Sequence, residues 1–235
     1  MARTTAKKTN RAVSSPRRPE VFLPDLRAYE PTEESSAGKG VPVLERDYDG
    51  VRFEDLDLGG TDGAGATFLD CGLYRCSLDD ARWERARLLD SVLEGVSGVG
   101  TDLAGAELRD VELLDARLGG VQVHGAHMTR VLVRGGKIDF LNLRQTTLAD
   151  VTFENCVLVE PDFGGATLER VAFPGCVLRG VDFSRATLTD VDLREAAELD
   201  IAAGVGQLTG AVISSVQLME LAPAFASEIG VRVGP

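Results

Sequence analysis

The segment Ala166–Leu193, "ATLERVAFPGCVLRGVDFSRATLTDVDL", places large apolar side chains at Leu168, Phe173, Leu178, Phe183, Leu188 and Leu193, five residues apart each time. From Phe53 to Leu193 every fifth residue is large and apolar except Gly63 and Gly98, and the phase does not slip. A helix repeats near 3.6 residues and a strand at 2, so neither element alone gives a period of five. Two residues before each centre stands a small or β-branched residue, as at Cys71, Ala81, Ala86, Val111, Ala126, Val151 and Val181. Residues two apart in an extended chain point the same way. The small residue and the centre therefore enter the interior together, and the next inward pair begins three residues later. That reset needs a corner. Each quintet reads as a short extended edge plus a turn, and the outward Gly, Asp, Arg, Thr and Glu suit turns and solvent.

A slower period counts the edges. Ala66, Ala86, Ala106, Ala126, Ala166 and Ala186 form one column, completed by Thr146 and Gly206. Val111, Val131, Val151, Val171 and Val191 form a second, and Cys76, Cys156 and Cys176 share a third. Phe153 lies twenty before Phe173, and Phe163 twenty before Phe183. Twenty over five means four edges per turn. The expected fold is all-β, a square tube with like side chains stacked at the sheet spacing of ~4.8 Å. Glu198 and Ala203 break the apolar phase, which returns at Leu208, Ile213 and Leu218. About eight coils and a rod of roughly 40 Å follow at that spacing.

The ends read differently. A solenoid leaves an unpaired edge at each end. The stretch "SSVQLMELAPAFASEIG", Ser214 to Gly230, offers a short helical lid, N-capped by Ser214 or Ser215 and broken or restarted at Pro223. Leu218, Met219, Leu221, Phe225 and Ile229 give this lid an apolar face, which also suits a two-fold dimer contact. Residues 1–40 are polar and Pro-rich, and read as a disordered basic tail to about Arg18 followed by a linker. "VFLPDL", Val21 to Leu26, is a segment able to dock on the body. The chain thus divides into 1–40 tail and linker, 41–213 solenoid and 214–235 cap.

Composition and charge narrow the function. The chain has 235 residues, 44% of them hydrophobic, enough for one domain with a real core. It has no apolar run long enough to span a membrane, and its basic start lacks the apolar stretch of a secretion signal. A cytoplasmic protein with reduced thiols is the expectation. The net charge of −12 is uneven: +5 over residues 1–27, −4 over 28–50 and −13 over 51–235. The body should repel nucleic acid and prefer basic partners, while the tail is either solvated or in contact with nucleic acid or membrane.

Candidate chemistry is sparse. Cys71, Cys76, Cys156 and Cys176 all occupy the small inward position, so the phase alone explains them as core. His124 and His127 lack accompanying Cys or clustered carboxylates and make a poor metal site. "GGTDGAGA", Gly59 to Ala66, lacks the Lys-Ser/Thr of a phosphate loop. A tube filled with Leu, Phe, Val and Ala has no room for a substrate, so neither catalysis nor a cofactor is expected. The acidic surface remains. Asp70, Asp90, Asp110, Asp150 and Asp190 share one corner column, with Arg130 and Arg170 at the missing steps. Asp62, Asp102, Asp162 and Asp182 form a second. Two readings stand: Asp suits turns and caps backbone N–H groups, or the carboxylates replace phosphates. Duplex DNA of that length carries roughly 24 charges, about twice the charge of this body.

Units such as "AGAEL", "GVDFS", "RATLT" and "DVDLR" resemble the pentapeptide repeat family over about residues 51–218. The resemblance implies a right-handed quadrilateral β-helix. The best-understood members are quinolone-resistance and self-immunity proteins, DNA-like in width and charge, which bind type II topoisomerases such as DNA gyrase and dimerise through C-terminal caps. This chain looks like the loop-free actinobacterial type. The resemblance implies topoisomerase binding through the two Asp columns. The rival is an interaction scaffold using outward Tyr74, Leu89, Leu114, Leu132 and Phe140.

Overall fold

The computed structural model describes residues 13–23, 25–30, 44 and 46–232. Its corners explain the period of five. Every fifth residue from Gly50 to Asp190 has a positive φ, between 50° and 73°. One left-handed residue per quintet turns the chain and lets the next edge begin. Such a conformation costs an ordinary L-residue about 1–2 kcal/mol, and Gly, Asp and Asn least. This is the local reason for the abundant Gly and for Asp in the first acidic column.

Successive turns pair in parallel with a register of twenty. Leu88, Leu108, Met128, Leu148, Leu168 and Leu188 are consecutive partners in one ladder. One sheet of twelve strands wraps two faces of the tube, and a second of six covers the third. The longest strands, such as Arg87–Glu94, Glu107–Leu114 and Thr147–Glu154, bend at the shared corner and serve both faces of the first sheet. The fourth face is a row of single bridges from Asp62↔Arg82 to Asp162↔Asp182. The solenoid makes about nine turns. Tyr48, paired with Phe68, already takes a buried central seat and starts the tube one quintet, a quarter of a turn, before Phe53.

The interior is solid. Ala86, Ala106 and Ala126 are fully buried, and each carbonyl accepts the N–H of the residue 21 further on. Phe153 stacks on Phe173 with centroids 5.2 Å apart, and Phe163 on Phe183 at 5.3 Å. The two glycine centres are filled by neighbours. The Trp83 indole lies against Gly63, and Thr101 takes the space beside Gly98 while its hydroxyl donates to Leu78 O at 2.8 Å.

The phase slips once, beyond Leu193. Leu178 pairs with Leu199, a register of 21, so Leu199 and not Glu198 enters the core. One extra residue enters between Leu193 and Glu198, the edge Glu198–Ala203 pairs irregularly, and Val191↔Ala211 restores the step of twenty. Leu208 and Ile213 then pack partly buried against the core, as their phase requires.

Both edges carry caps. Arg27–Ala28 forms a strand on Val51–Arg52, and Tyr29 stacks on Phe53 at 4.8 Å. Residues 13–23 and 25–30 fall in the segment expected to be tail and linker; they have no helical or strand period, and their order comes from contacts with the body. At the other end, Ser214 accepts from Gln217 N while Gln217 Oε1 accepts from Ser214 N, a reciprocal capping box. The helix Ser215–Glu228 runs through Pro223 without breaking there. Leu221 is buried and Phe225 partly buried against the last turn, and Gln217 Nε2 donates to Leu193 O at 2.7 Å. Tertiary packing on both sides of Pro223 outweighs its missing N–H. Leu218 and Met219 do not join the lid's buried face; they are 51% and 76% exposed.

Candidate protein-binding surface

The cysteines are core residues. All four are buried and unbridged, and Cys156 N donates to Cys176 Sγ at 3.3 Å. Burial pushes the Cys71 thiol up to about 11. His124 and His127 are exposed, and no group of three or more potential metal ligands occurs among the described residues. No helix among them is long and apolar enough to cross a membrane.

The second acidic column serves the turns. Asp62, Asp102, Asp162 and Asp182 accept through Oδ1 the N–H of Ala64, Ala104, Gly164 and Ser184 at 3.2, 2.8, 2.7 and 2.6 Å. Asn142, at a missing step, does the same for Arg144 N at 3.1 Å. A short side-chain acceptor two residues before an N–H is an Asx turn, which gives these carboxylates a local role in the turns. The carboxylates are half-buried, and Asp162 Oδ2 also accepts from Arg144 at 2.8 Å.

The first column is neutralised in part. Arg130 reaches back one turn and grips Asp110 through Nε and Nη2 at 2.6 and 2.5 Å. Arg170 does the same to Asp150 at 2.7 and 3.1 Å. The arginines at the missing steps thus clamp the carboxylates one turn away. Charge is least compensated at the N-terminal end, where burial and then the neighbouring Asp90 and Asp49 carboxylates push Asp70 up. Asp90 faces Arg109 at 3.9 Å, and Asp190 is half-buried.

Asp150 differs from the rest of its column. Its side chain has no exposure. Besides Arg170, it receives the backbone N–H of Arg17 at 3.1 Å and the Arg17 guanidinium at 3.0 and 2.7 Å. Arg18 reaches Glu154 at 2.5 Å. Burial alone would raise the Asp150 carboxyl, but the hydrogen bonds from Arg170 and Arg17 outweigh it and hold the group well below the usual carboxylate range. Asp150 therefore presents no carboxylate to a partner while Arg17 is in place. Arg17 carries no sequence signal for this role: it lies 133 residues from Asp150 and outside the repeat.

The outward apolar residues also sort unevenly. Phe140 is exposed and Tyr74 and Leu114 are half-buried, but Leu89 and Leu132 are buried and offer no scaffold surface. Val99, at 66% exposure, was not anticipated. On the cap helix, Val216, Leu218 and Met219 are exposed together with the trailing Ile229.

A family model of the pentapeptide repeat region matches residues 66–143 and 146–221. Among solved structures, HetL, a pentapeptide repeat protein involved in heterocyst differentiation regulation from the cyanobacterium Nostoc sp. strain PCC 7120, is 19% identical, with 72% of this chain and 90% of that one covered and a TM-score of 0.37. A trypsin-treated QnrB1, a plasmid-mediated fluoroquinolone resistance protein, is 21% identical over 82% of this chain and 96% of its own, with a TM-score of 0.36. No curated protein matches the chain.

Proposed function

Because the chain belongs to the pentapeptide repeat family, we propose that it acts without catalysis, as an acidic rod that docks on the basic DNA-binding surface of a type II topoisomerase such as DNA gyrase and modulates or protects it. The observation that carries this reading is the division of the molecule: its inward seats are filled by side chains, and its uncompensated negative charge stays outside. With Asp150 covered and Asp110 clamped, contact falls first to the exposed Asp70, then to the half-buried Asp90, Asp62, Asp102, Asp162, Asp182 and Asp190. Their density is below that of a phosphate backbone, so the rod imitates DNA on one side only.

Pull-down of gyrase and a supercoiling assay test this proposal, with the salt concentration varied. Inhibition or protection by micromolar protein, weakening steeply with salt, is the expected result. No effect at that concentration overturns it. Binding that survives high salt instead favours the scaffold reading, for which exposed Val99 and Phe140 are the supporting surface. A homodimer through the cap belongs to the same proposal, supported by the exposed Val216, Leu218 and Met219 of the helix and the trailing Ile229.

A further inference from the structure

The repeat points Leu89, Leu132 and Thr152 outward, yet all three are buried. They flank the corner column of Asp90, Asp110, Arg130 and Asp150, where the long strands bend between two faces. The segment Val13–Glu20 lies at this corner. Arg17 is bonded to Asp150 and Arg18 to Glu154, Pro19 is buried, and Arg17, Arg18, Pro19 and Glu20 line a cleft with Asp90, Asp110 and Arg130.

We infer that this corner is a binding groove for an extended arginine-bearing peptide, that Val13–Glu20 occupies it in cis, and that this strap closes the groove to a basic partner until displaced. Asp150 supplies the specificity. Arg170 covers one side of its carboxylate, and the remaining acceptor capacity is met by one guanidinium and one backbone N–H of the strap. With the strap in place this carboxylate has no exposure, and the strap's donors meet its remaining acceptors. A guanidinium beside a backbone N–H is what an extended peptide carrying arginine offers, and a lysine ammonium lacks the planar fork. Leu89 and Leu132, outward in the repeat yet buried, flank this charge site. The tail's charge of +5 against −13 on the body favours docking. Covalent attachment puts the strap at an effective concentration on the order of millimolar, so an external basic segment meets a standing competitor. The inference goes beyond the topoisomerase reading and does not require it: the groove and its strap stand or fall on peptide binding to this chain alone.

The test uses the full chain and a fluorescent synthetic peptide carrying residues 13–23. The peptide should bind the full-length R17E/R18E variant, in which the strap is released, at least about tenfold more tightly than wild type, a factor corresponding to about 1.4 kcal/mol. Adding Asp150→Asn to that variant should abolish the gain. Equal binding to wild type and R17E/R18E, or binding indifferent to Asp150, overturns the groove. Since Asp150→Asn is also a stability change, hydrogen exchange on wild type provides a second measurement. The backbone amide of residue 17 should be protected in wild type and exchange freely in R17E/R18E; an unprotected amide at that position in wild type overturns the strap. Protection that appears only as protein concentration rises would place the strap on a second copy and overturn its action in cis.

Discussion

The indole of Trp83 occupies the space that a side chain at Gly63 would fill: a Cβ on Gly63 would lie 2.8 Å from Trp83 Cδ1. Trp83 Nε1 donates to Thr61 Oγ1 at 3.0 Å, so the ring is held in place by a partner on the same turn as Gly63. The two positions share one volume. Gly63→Leu alone should destabilise by about 1–3 kcal/mol through overpacking. Trp83→Ala alone should cost about 3–5 kcal/mol through the void it leaves. Urea unfolding of both single variants and the double should show the double less destabilised than the sum, since each change relieves the other. Simple additivity would show that the volume is not shared.

Glycines with positive φ should differ sharply among themselves. Gly136 has φ +75, and a Cβ there would lie 2.1 Å from Ala116 O, a backbone atom that cannot swing away. Gly125 has φ +68 and no atom within 4 Å of such a Cβ. Gly136→Ala should therefore cost more than about 3 kcal/mol, and Gly125→Asn within about 1 kcal/mol of neutral. Thermal unfolding of the two variants reads the contrast directly, and equal losses would contradict the packing.

The extra residue makes a prediction opposite to that of a strict repeat. Leu199→Ala should destabilise by about 2–5 kcal/mol, as a core truncation does. Glu198→Ala removes only an exposed pair with Arg179 and should fall within about 1 kcal/mol of wild type. If Glu198 proves the costlier position, the register of 21 is wrong.

Acid should loosen the molecule through Asp150. Its carboxyl lies below the ordinary value in the folded state, so the unfolded chain takes up the proton first. The stabilisation is fully present above the unfolded value of about 4 and is lost as pH falls below it. Wild-type stability should decline from about pH 5 downward, and Asp150→Asn should flatten that decline while costing about 3–5 kcal/mol at neutral pH. Denaturant titrations at several pH values check both effects, and an unchanged slope would remove Asp150 from the account.

Met219, 76% exposed, tests the proposed dimer. Met219→Lys should leave the thermal midpoint unchanged within about 2 °C, as an exposed site allows, and convert a dimer to monomer in sedimentation equilibrium. A wild-type chain that sediments as a monomer at high concentration defeats the proposal before any substitution is made.

The repeat was readable because it is redundant. Any one of Leu148, Leu158 or Leu168 says little, but a phase held from Phe53 to Leu193 admits only a chain that turns a corner every five residues. The Asp columns were visible for the same reason, although their work was not. That Asp102 bonds Ala104 N, or that Arg170 clamps Asp150, depends on which oxygen meets which donor across one turn, and a column of letters does not distinguish a phosphate substitute from a turn cap. Pro223 misled because helix rules weigh the lost N–H and not the packing of Leu221 and Phe225 on either side.

By itself, the order of residues determined the four-sided tube, its twenty-residue register, its buried cysteines and its filled interior, since all of these arise from contacts between neighbouring turns that repeat at a constant separation. Only the tertiary structure decided which residue enters the core at Leu199, which side of the cap helix stays exposed, and where Arg17 and Arg18 lie. Those depend on single contacts between parts of the chain with no common period. Arg17 on Asp150 is the extreme case, a bond across 133 residues fixed by geometry and charge at one buried corner.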